Sequence, residues 1–452
     1  MKFKKFFNTK LVSIHRQCLC FVLFGLIILS FSAKGQTWSL QQCIDTALVN
    51  NKNLQISRNN IELSTERQGE AKANLLPKIN LSADYKYFFD LPYQLMPQSA
   101  FGGNEGQFKE MQMGVPHNIS TSIQLTLPLY NPQIYGGIKS TQIAVELNEL
   151  QYEKSEEEIL FEISNIYYNA QILLHQQHLI EGNLANTQKL RKNLDLLYTQ
   201  QMIKRSDVTK VVLQEEQLET QLELVNSNYK QVLNALKFLV GISFQDDMLI
   251  EREIKFDVPA AYTHLSIVDL ELALTQKELL KSELQTLKNS RLPTVSLFGS
   301  YGQNGFGYNE EPNEFLEFFP SSFAGLQLTV PIFSRTVTQR KIKQKKIEIE
   351  NSRLQLQNIA EQNNMLVENA RRKRLVTKQT IDNTLNQIDL AETVYHDMLL
   401  QQKEGTSSLT EVLMADNALR EAQQSNLSAI VDYLKVDLEL KKLTGNISQQ
   451  KN

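Results

Sequence analysis

Two hydrophobic periods alternate along this chain. Ile79, Leu81, Ala83, Tyr85, Tyr87 and Phe89 alternate with Asn80, Ser82, Asp84, Lys86 and Phe88, and Ile119, Ile123, Leu125, Leu127 and Leu129 alternate with Ser120, Ser122, Gln124 and Thr126. A period of two collects apolar groups on one face of a strand and polar groups on the other. The same pattern returns at Val295, Leu297 and Tyr301 and at Leu326, Leu328, Val330 and Ile332. Strands are therefore predicted at about 79–89, 119–130, 294–302 and 323–333, each near the length that crosses a bilayer when tilted. Leu81, Leu125, Leu297 and Leu328 are predicted to share the lipid face. The segments between the paired strands, Asp90–Asn118 and Gln303–Ser322, are rich in Gly, Pro, Asn, Gln and aromatic residues and read as long loops.

Elsewhere the period lengthens. Ile138 to Tyr198 contains no Pro and one Gly, and Ile159, Ile163, Ile166, Ala170 and Leu173 step by 4, 3, 4 and 3. Those residues predict a helix about 90 Å long. A second such helix runs from about Arg335 to Gln402, with Ile381, Leu385 and Ile388 in the same rhythm. Return helices follow at Asp207 to about Leu239 and at Leu409 to about Leu443, stopped by Gly241 and Gly445. Helices this long find no compact core to cover, so they are expected to pack as antiparallel coiled coils.

The two periods belong to a duplication. Leu76-Pro77 through Tyr85 recurs as Leu292-Pro293 through Tyr301, and Leu125-Thr126-Leu127-Pro128-Leu129-Tyr130 recurs as Leu328-Thr329-Val330-Pro331-Ile332-Phe333. Tyr229 and Gly241 match Tyr433 and Gly445. The expected organisation is one repeat over 36–241, a linker over 242–265 that includes Pro259, a second repeat over 266–445, and a tail over 446–452. Each repeat is strand, strand, long helical hairpin, with hairpins at about 138–240 and 335–443.

Composition narrows the class. Over 452 residues the chain is 42% hydrophobic and 21% charged, and its mean hydropathy of −0.31, with no repeated 20-residue apolar runs, excludes a polytopic helical membrane protein. Lys2, Lys4, Lys5, Lys10 and Arg16 precede an apolar run from Leu19 to Phe31, and Ala33 and Gly35 precede a plausible cut before Gln36. Residues 1–35 are thus expected to be a secretory signal peptide, too short in its apolar part to span a membrane. Neither Cys18 nor Cys20 has the small apolar neighbours of a lipid-attachment site. Removal of the segment leaves 41 basic residues against 50 acidic ones, a net charge of −9, which argues against nucleic acid as a partner. Cys43 would be the only remaining thiol.

Only helices and closed barrels cross hydrocarbon, and four strands cannot close a barrel with a lumen. Strands in a membrane therefore require several copies of the chain. At this point the sequence resembles the trimeric outer-membrane efflux channels of the TolC type. The resemblance is carried by Trp38-Ser39-Leu40 through Asn53-Leu54, by the duplicated Leu-Pro and Leu-Thr-Leu/Val-Pro segments, and by Gly405-Thr406-Ser407-Ser408-Leu409-Thr410-Glu411-Val412-Leu413 with Ala415, Leu419, Ala422, Tyr433 and Gly445. It implies an α+β membrane protein in which a homotrimer, four strands per chain, makes a shared 12-stranded β-barrel in outer-membrane lipid above a periplasmic α-helical coiled-coil barrel. It also implies a passive exit duct that works with a periplasmic membrane-fusion adaptor and an inner-membrane pump, without a cofactor. A periplasmic coiled-coil adaptor, or a structural protein of an export complex, is the alternative. An adaptor would normally carry one hairpin between β-rich halves, whereas two hairpins and two strand pairs stand here in repeat order.

The resemblance assigns roles to the hairpin tips, Thr199–Asp207 and Gln402–Leu409. Gln201, Met202, Ile203 and Lys204 in the first tip and Gly405, Thr406 and Ser407 in the second are the expected adaptor-docking residues; the first tip lacks the family's glycine. Glu411 falls at an acidic aperture position of the family, the next carries Met414, and Asp416 could substitute. Other chemistry is thin. His175 and His178 lie one helical turn apart without a third metal ligand nearby. Met96, Met111 and Met113 fall in the first long loop, Glu156-Glu157-Glu158 reads as a solvated helix face, and Gly299, Gly302, Gly305 and Gly307 lack the Lys-Ser/Thr of a phosphate loop. No catalytic constellation stands out, so the protein is not expected to be an enzyme.

Overall fold

The computed structural model describes residues 37–254, 262–263, 265–308, 317–333 and 336–447. The signal segment, Pro259, Arg335 and the end of the tail lie outside the described residues. In chain order the strands are β1 (Thr37–Trp38), β2 (Lys78–Tyr87), β3 (Tyr93–Pro97), β4 (Phe108–Gln112), β5 (His117–Tyr130), β6 (Leu249–Ile250), β7 (Thr294–Gly307) and β8 (Glu317–Thr329). The helices are α1 (Leu40–Asn50), α2 (Lys52–Ala73), α3 (Pro132–Thr199), α4 (Arg205–Val240), α5 (Val268–Asn289), α6 (Val337–Lys403) and α7 (Leu409–Leu443). Two compact units are distinct, one of residues 1–55, 155–265 and 365–452 and one of residues 56–154 and 266–364. Each unit draws on both halves of the duplication.

The second unit holds a four-stranded antiparallel sheet in the order β2-β5-β7-β8. Cross-strand partners share a face, and the register brings Leu81 opposite Ile123, Leu125 opposite Gly299, Leu297 opposite Leu326 and Val295 opposite Leu328. All four leucines expected to face lipid thus lie on one side. On the edge strands this face is bare, with Leu81 71% and Leu328 65% exposed. The other face carries a polar ladder, in which Ser82 Oγ lies 3.0 Å from Ser122 Oγ and Ser120 Oγ donates to Asn304 Oδ1 at 2.9 Å. Pro128 is tolerated in β5 because the β2 ladder ends at Thr126, so Pro128 is partnered only by Ser296 of β7, next to a register shift before Tyr130.

Three features correct the sequence expectations. The expected loop Gln303–Ser322 is largely strand, since β7 continues to Gly307 and β8 begins at Glu317. Glycines of the two strands make room for rings: a Cβ on Gly305 of β7 would lie 2.9 Å from the Phe318 ring, and one on Gly325 of β8 the same distance from Phe298. The other expected loop contains a hairpin of β3 and β4, which takes up Met96 and Met111. Finally, β8 stops at Thr329, short of the expected 333, because the first residue of β7, Thr294, is the partner of Thr329 and the next four residues have no ladder to join. Ile332 and Phe333 stand 94% and 81% exposed there.

In the first unit the helices pair. Ser39 caps α1 through a reciprocal box with Gln42, and Cys43, Ile44 and Ala47 form its buried stripe. Asn51 separates α1 from α2, donating from Nδ2 to Leu239 O at 2.7 Å while its Oδ1 accepts from the amides of Asn53 and Leu54. Along α7 the buried residues Val412, Ala415, Ala422, Ala429, Tyr433, Val436 and Leu440 recur at coiled-coil spacing. Ala429 and Tyr433 pack on Ile381 of α6, and Leu440 packs on Val367 and Ala370. A buried polar pair, Asn426 Nδ2 to Thr384 Oγ1 at 3.0 Å, lies one turn beyond the Ile381 cluster on its tip side and fixes the register of α7 on α6.

Candidate functional site

Both hairpin tips fall in the first unit, and both are five-residue turns, 200–204 between α3 and α4 and 404–408 between α6 and α7. They close in the same way. Met202 N–H donates to Leu197 O and Gln201 N–H to Tyr198 O; Thr406 N–H donates to Gln401 O and Gly405 N–H to Gln402 O. This pairing needs a left-handed residue just past the helix. Gly405 supplies it at φ 75°, and Gln201 supplies it at φ 59° despite its side chain. The first tip thus keeps the shape of the second without its glycine, so Met202 matches Thr406, Ile203 matches Ser407, and Lys204 matches Ser408.

The return helices start differently. Ser408 caps α7 in a reciprocal box: its Oγ accepts from Glu411 N–H at 3.3 Å, and Glu411 Oε2 accepts from Ser408 N–H at 2.7 Å. Ser407 Oγ also donates to the same carboxylate at 2.9 Å. The Ser408 amide, with the hydroxyls of Ser407 and Ser408, holds the Glu411 carboxyl below the usual range. At the start of α4 Lys204 makes no side-chain cap. The tips are joined by Lys210, whose Nζ donates to Thr410 Oγ1 at 2.9 Å.

Asp416 sits one turn deeper and is half-buried. It pairs with Arg420 of its own helix and accepts from Gln214 Nε2 of α4 at 3.1 Å, while Arg420 reaches Thr187 Oγ1 of α3 at 3.3 Å. Burial pushes the Asp416 carboxyl up against the opposing pull of Arg420. The Asp416–Arg420 pair therefore ties three helices together just inside the tips. Among the described residues Glu411 and Asp416 do not share a partner.

Sequence reasoning missed Arg420, Gln214 and Thr187. The four-residue step from Asp416 to Arg420 was a readable signal for the ion pair, but nothing in the sequence placed Gln214 beside it. It also missed a network that fastens the linker: Asp437, 6% exposed, accepts from Arg374 Nε at 2.7 Å and from the Tyr262 hydroxyl at 2.6 Å. His175 binds the carbonyl of Arg252 through Nε2 at 2.9 Å, and among the described residues no group of three or more His, Cys, Asp or Glu could hold a metal. Of the glutamates at 156–158, Glu158 is exposed and the other two are half-buried. No helix among the described residues is long and apolar enough to cross a membrane.

The profile of the family described as outer membrane efflux protein matches residues 43–242. The outer membrane protein TolC of Salmonella enteritidis is 21% identical over 454 residues, covering 95% of this chain and 86% of its own length. The crystal structure of the outer membrane protein VceC from Vibrio cholerae superposes with a TM-score of 0.72 at 14% identity, covering 90% of this chain and 96% of that one. The CmeC outer membrane channel of Campylobacter jejuni gives 0.72 at 16% identity, covering 91% and 88%.

Proposed function

We propose, from the premise that this chain belongs to the TolC-type outer-membrane efflux family, that it is the outer-membrane exit duct of a tripartite efflux or secretion system. The observation that carries this reading is the sheet: four antiparallel strands, apolar on one face and polar on the other, with both edges open. Hydrocarbon tolerates no open edge. Because the strand directions alternate over an even number, β8 of one chain and β2 of the next run antiparallel, and three chains give a 12-stranded barrel. The helical hairpins are then periplasmic. Energy and substrate choice come from an inner-membrane pump, and the duct catalyses nothing.

The tips dock a periplasmic adaptor through Gln201, Met202, Ile203 and Lys204 and through Gly405, Thr406 and Ser407. Met202 is 68% exposed, which suits an apolar contact. Glu411 and Asp416 line the aperture, and the Asp416 cluster helps hold it shut. An adaptor opens it only by binding the open form more tightly.

Planar-bilayer conductance tests this. Glu411→Gln with Asp416→Asn keeps hydrogen-bonding groups and removes six charges per trimer, so cation preference and block by multivalent cations are expected to fall while conductance persists. Unchanged selectivity and block would remove both residues from the aperture. Absence of any channel activity in the unaltered protein would overturn the duct.

A further inference from the structure

In the unit that carries the sheet, a cleft of about 610 Å³ lies between the first turns of α3 and the last turns of α5. Small residues create it. A Cβ on Gly136 would lie 2.2 Å from Thr286 Oγ1, and Ser140 Oγ lies 3.0 Å from Ser282 Oγ, so the two helices touch along one line. Longer side chains stand around the gap beside that line. The Tyr130 and Tyr135 rings lie 6.5 Å apart on one wall, and Lys139 and Lys281 line it from the two helices. Both lysines are exposed, and neither forms an ion pair among the described residues, whereas Lys154, Lys345 and Lys441 do. Among the described residues Glu278 is the only acid in the lining, which leaves one net positive charge.

The position of the cleft selects the ligand. Tyr130 is the partner of Val295, on the apolar face of the sheet. It is also the last residue of β5, with α3 beginning at Pro132. On the outer-membrane reading, on which this inference rests, the cleft opens toward lipid at the headgroup level of the periplasmic leaflet. Tyrosine at that depth and lysine on a flexible stem are the side chains that suit an apolar-to-polar boundary. Leu292, 43% exposed, lines the same cleft and would stay wet under a free ion.

We propose that this cleft binds the phosphate headgroup of an anionic phospholipid, with Lys139 and Lys281 on the phosphodiester and the tyrosine rings against the glycerol. A zwitterionic headgroup would bring its own ammonium toward two lysines and bind less well.

Native mass spectrometry of the detergent-purified protein, titrated with dioleoyl phosphatidylglycerol, dioleoyl phosphatidylcholine or inorganic phosphate, tests the site. Phosphatidylglycerol is expected to be retained at up to one molecule per chain and phosphatidylcholine to be lost. Lys139→Gln with Lys281→Gln should weaken phosphatidylglycerol retention about tenfold or more, Lys139→Arg with Lys281→Arg should restore it, and Lys189→Gln with Lys192→Gln should leave it unchanged. Equal retention of the two lipids, an unaffected double Gln variant, or phosphate binding as tightly as phosphatidylglycerol would each overturn the proposal. Bilayer recordings on the same preparation separate the two claims. A conducting trimer without lipid preference leaves the duct standing and removes the site, whereas a protein that neither assembles nor conducts removes both.

Discussion

Gln201 occupies a left-handed position that glycine fills in the matching turn, and a side chain there costs roughly 1 kcal/mol. Replacing it by Gly should slow hydrogen exchange of the Met202 amide about fivefold, because the turn that amide closes becomes less strained. Gly405→Ala should speed exchange at Thr406 by a similar factor; a Cβ there meets nothing within 4 Å, so only backbone strain contributes. Equal exchange in both pairs would contradict the shared turn geometry. Glu411 gives a pH signature. Its folded carboxyl titrates below the ordinary range, so its contribution is complete above that range and is lost as pH falls through the folded value. Exchange at the start of α7 should therefore accelerate below about pH 4, and Glu411→Gln should abolish that dependence. Cys43 is fully buried, which pushes its thiol up to about 12. It should ignore a water-soluble disulfide reagent at pH 8 in the native protein and react completely in denaturant; prompt native reaction would mean that α1 detaches readily.

Among the elements, the strands carry the sharpest test. Arg at Leu81, Leu125, Leu297 or Leu328 should cost roughly 2–4 kcal/mol per chain near the bilayer midplane and sharply lower the yield of assembled protein, whereas Arg at Ser82 or Gln124 should be tolerated. Equal yields would mean that the sheet faces are reversed. The period of two was enough to locate the four strands of the sheet and its apolar face, because alternation is a property of the sequence itself. It did not show where β7 and β8 meet, since Gly305 looks like a loop residue until the Phe318 ring is seen to use the space beside it. The four hairpin helices were legible, α7 at both ends, α4 and α6 to within two residues, and α3 except that it begins at Pro132 instead of Ile138; α1, α2 and α5 were not delimited from the sequence. The tips were legible as turns. What joins them was not: Thr187, Gln214 and Asp416 belong to three helices, and no sequence spacing encodes a contact between elements that meet only when folded.

For the whole molecule, one chain is incomplete as a membrane structure. Among the described residues β2 and β8 are each paired on one side only, apolar residues cover one face of the sheet, and beyond β8 Ile332 and Phe333 project with no strand beside them. In water such edges invite aggregation, and in hydrocarbon each unpaired backbone group costs several kcal/mol. Closure by further copies removes these penalties together. The most direct test is the mass of the intact assembly after extraction of the outer membrane in mild detergent, read by native mass spectrometry. The account predicts three copies of the chain and no stable smaller species. A soluble monomer, or an assembly of any other number of chains, would contradict it.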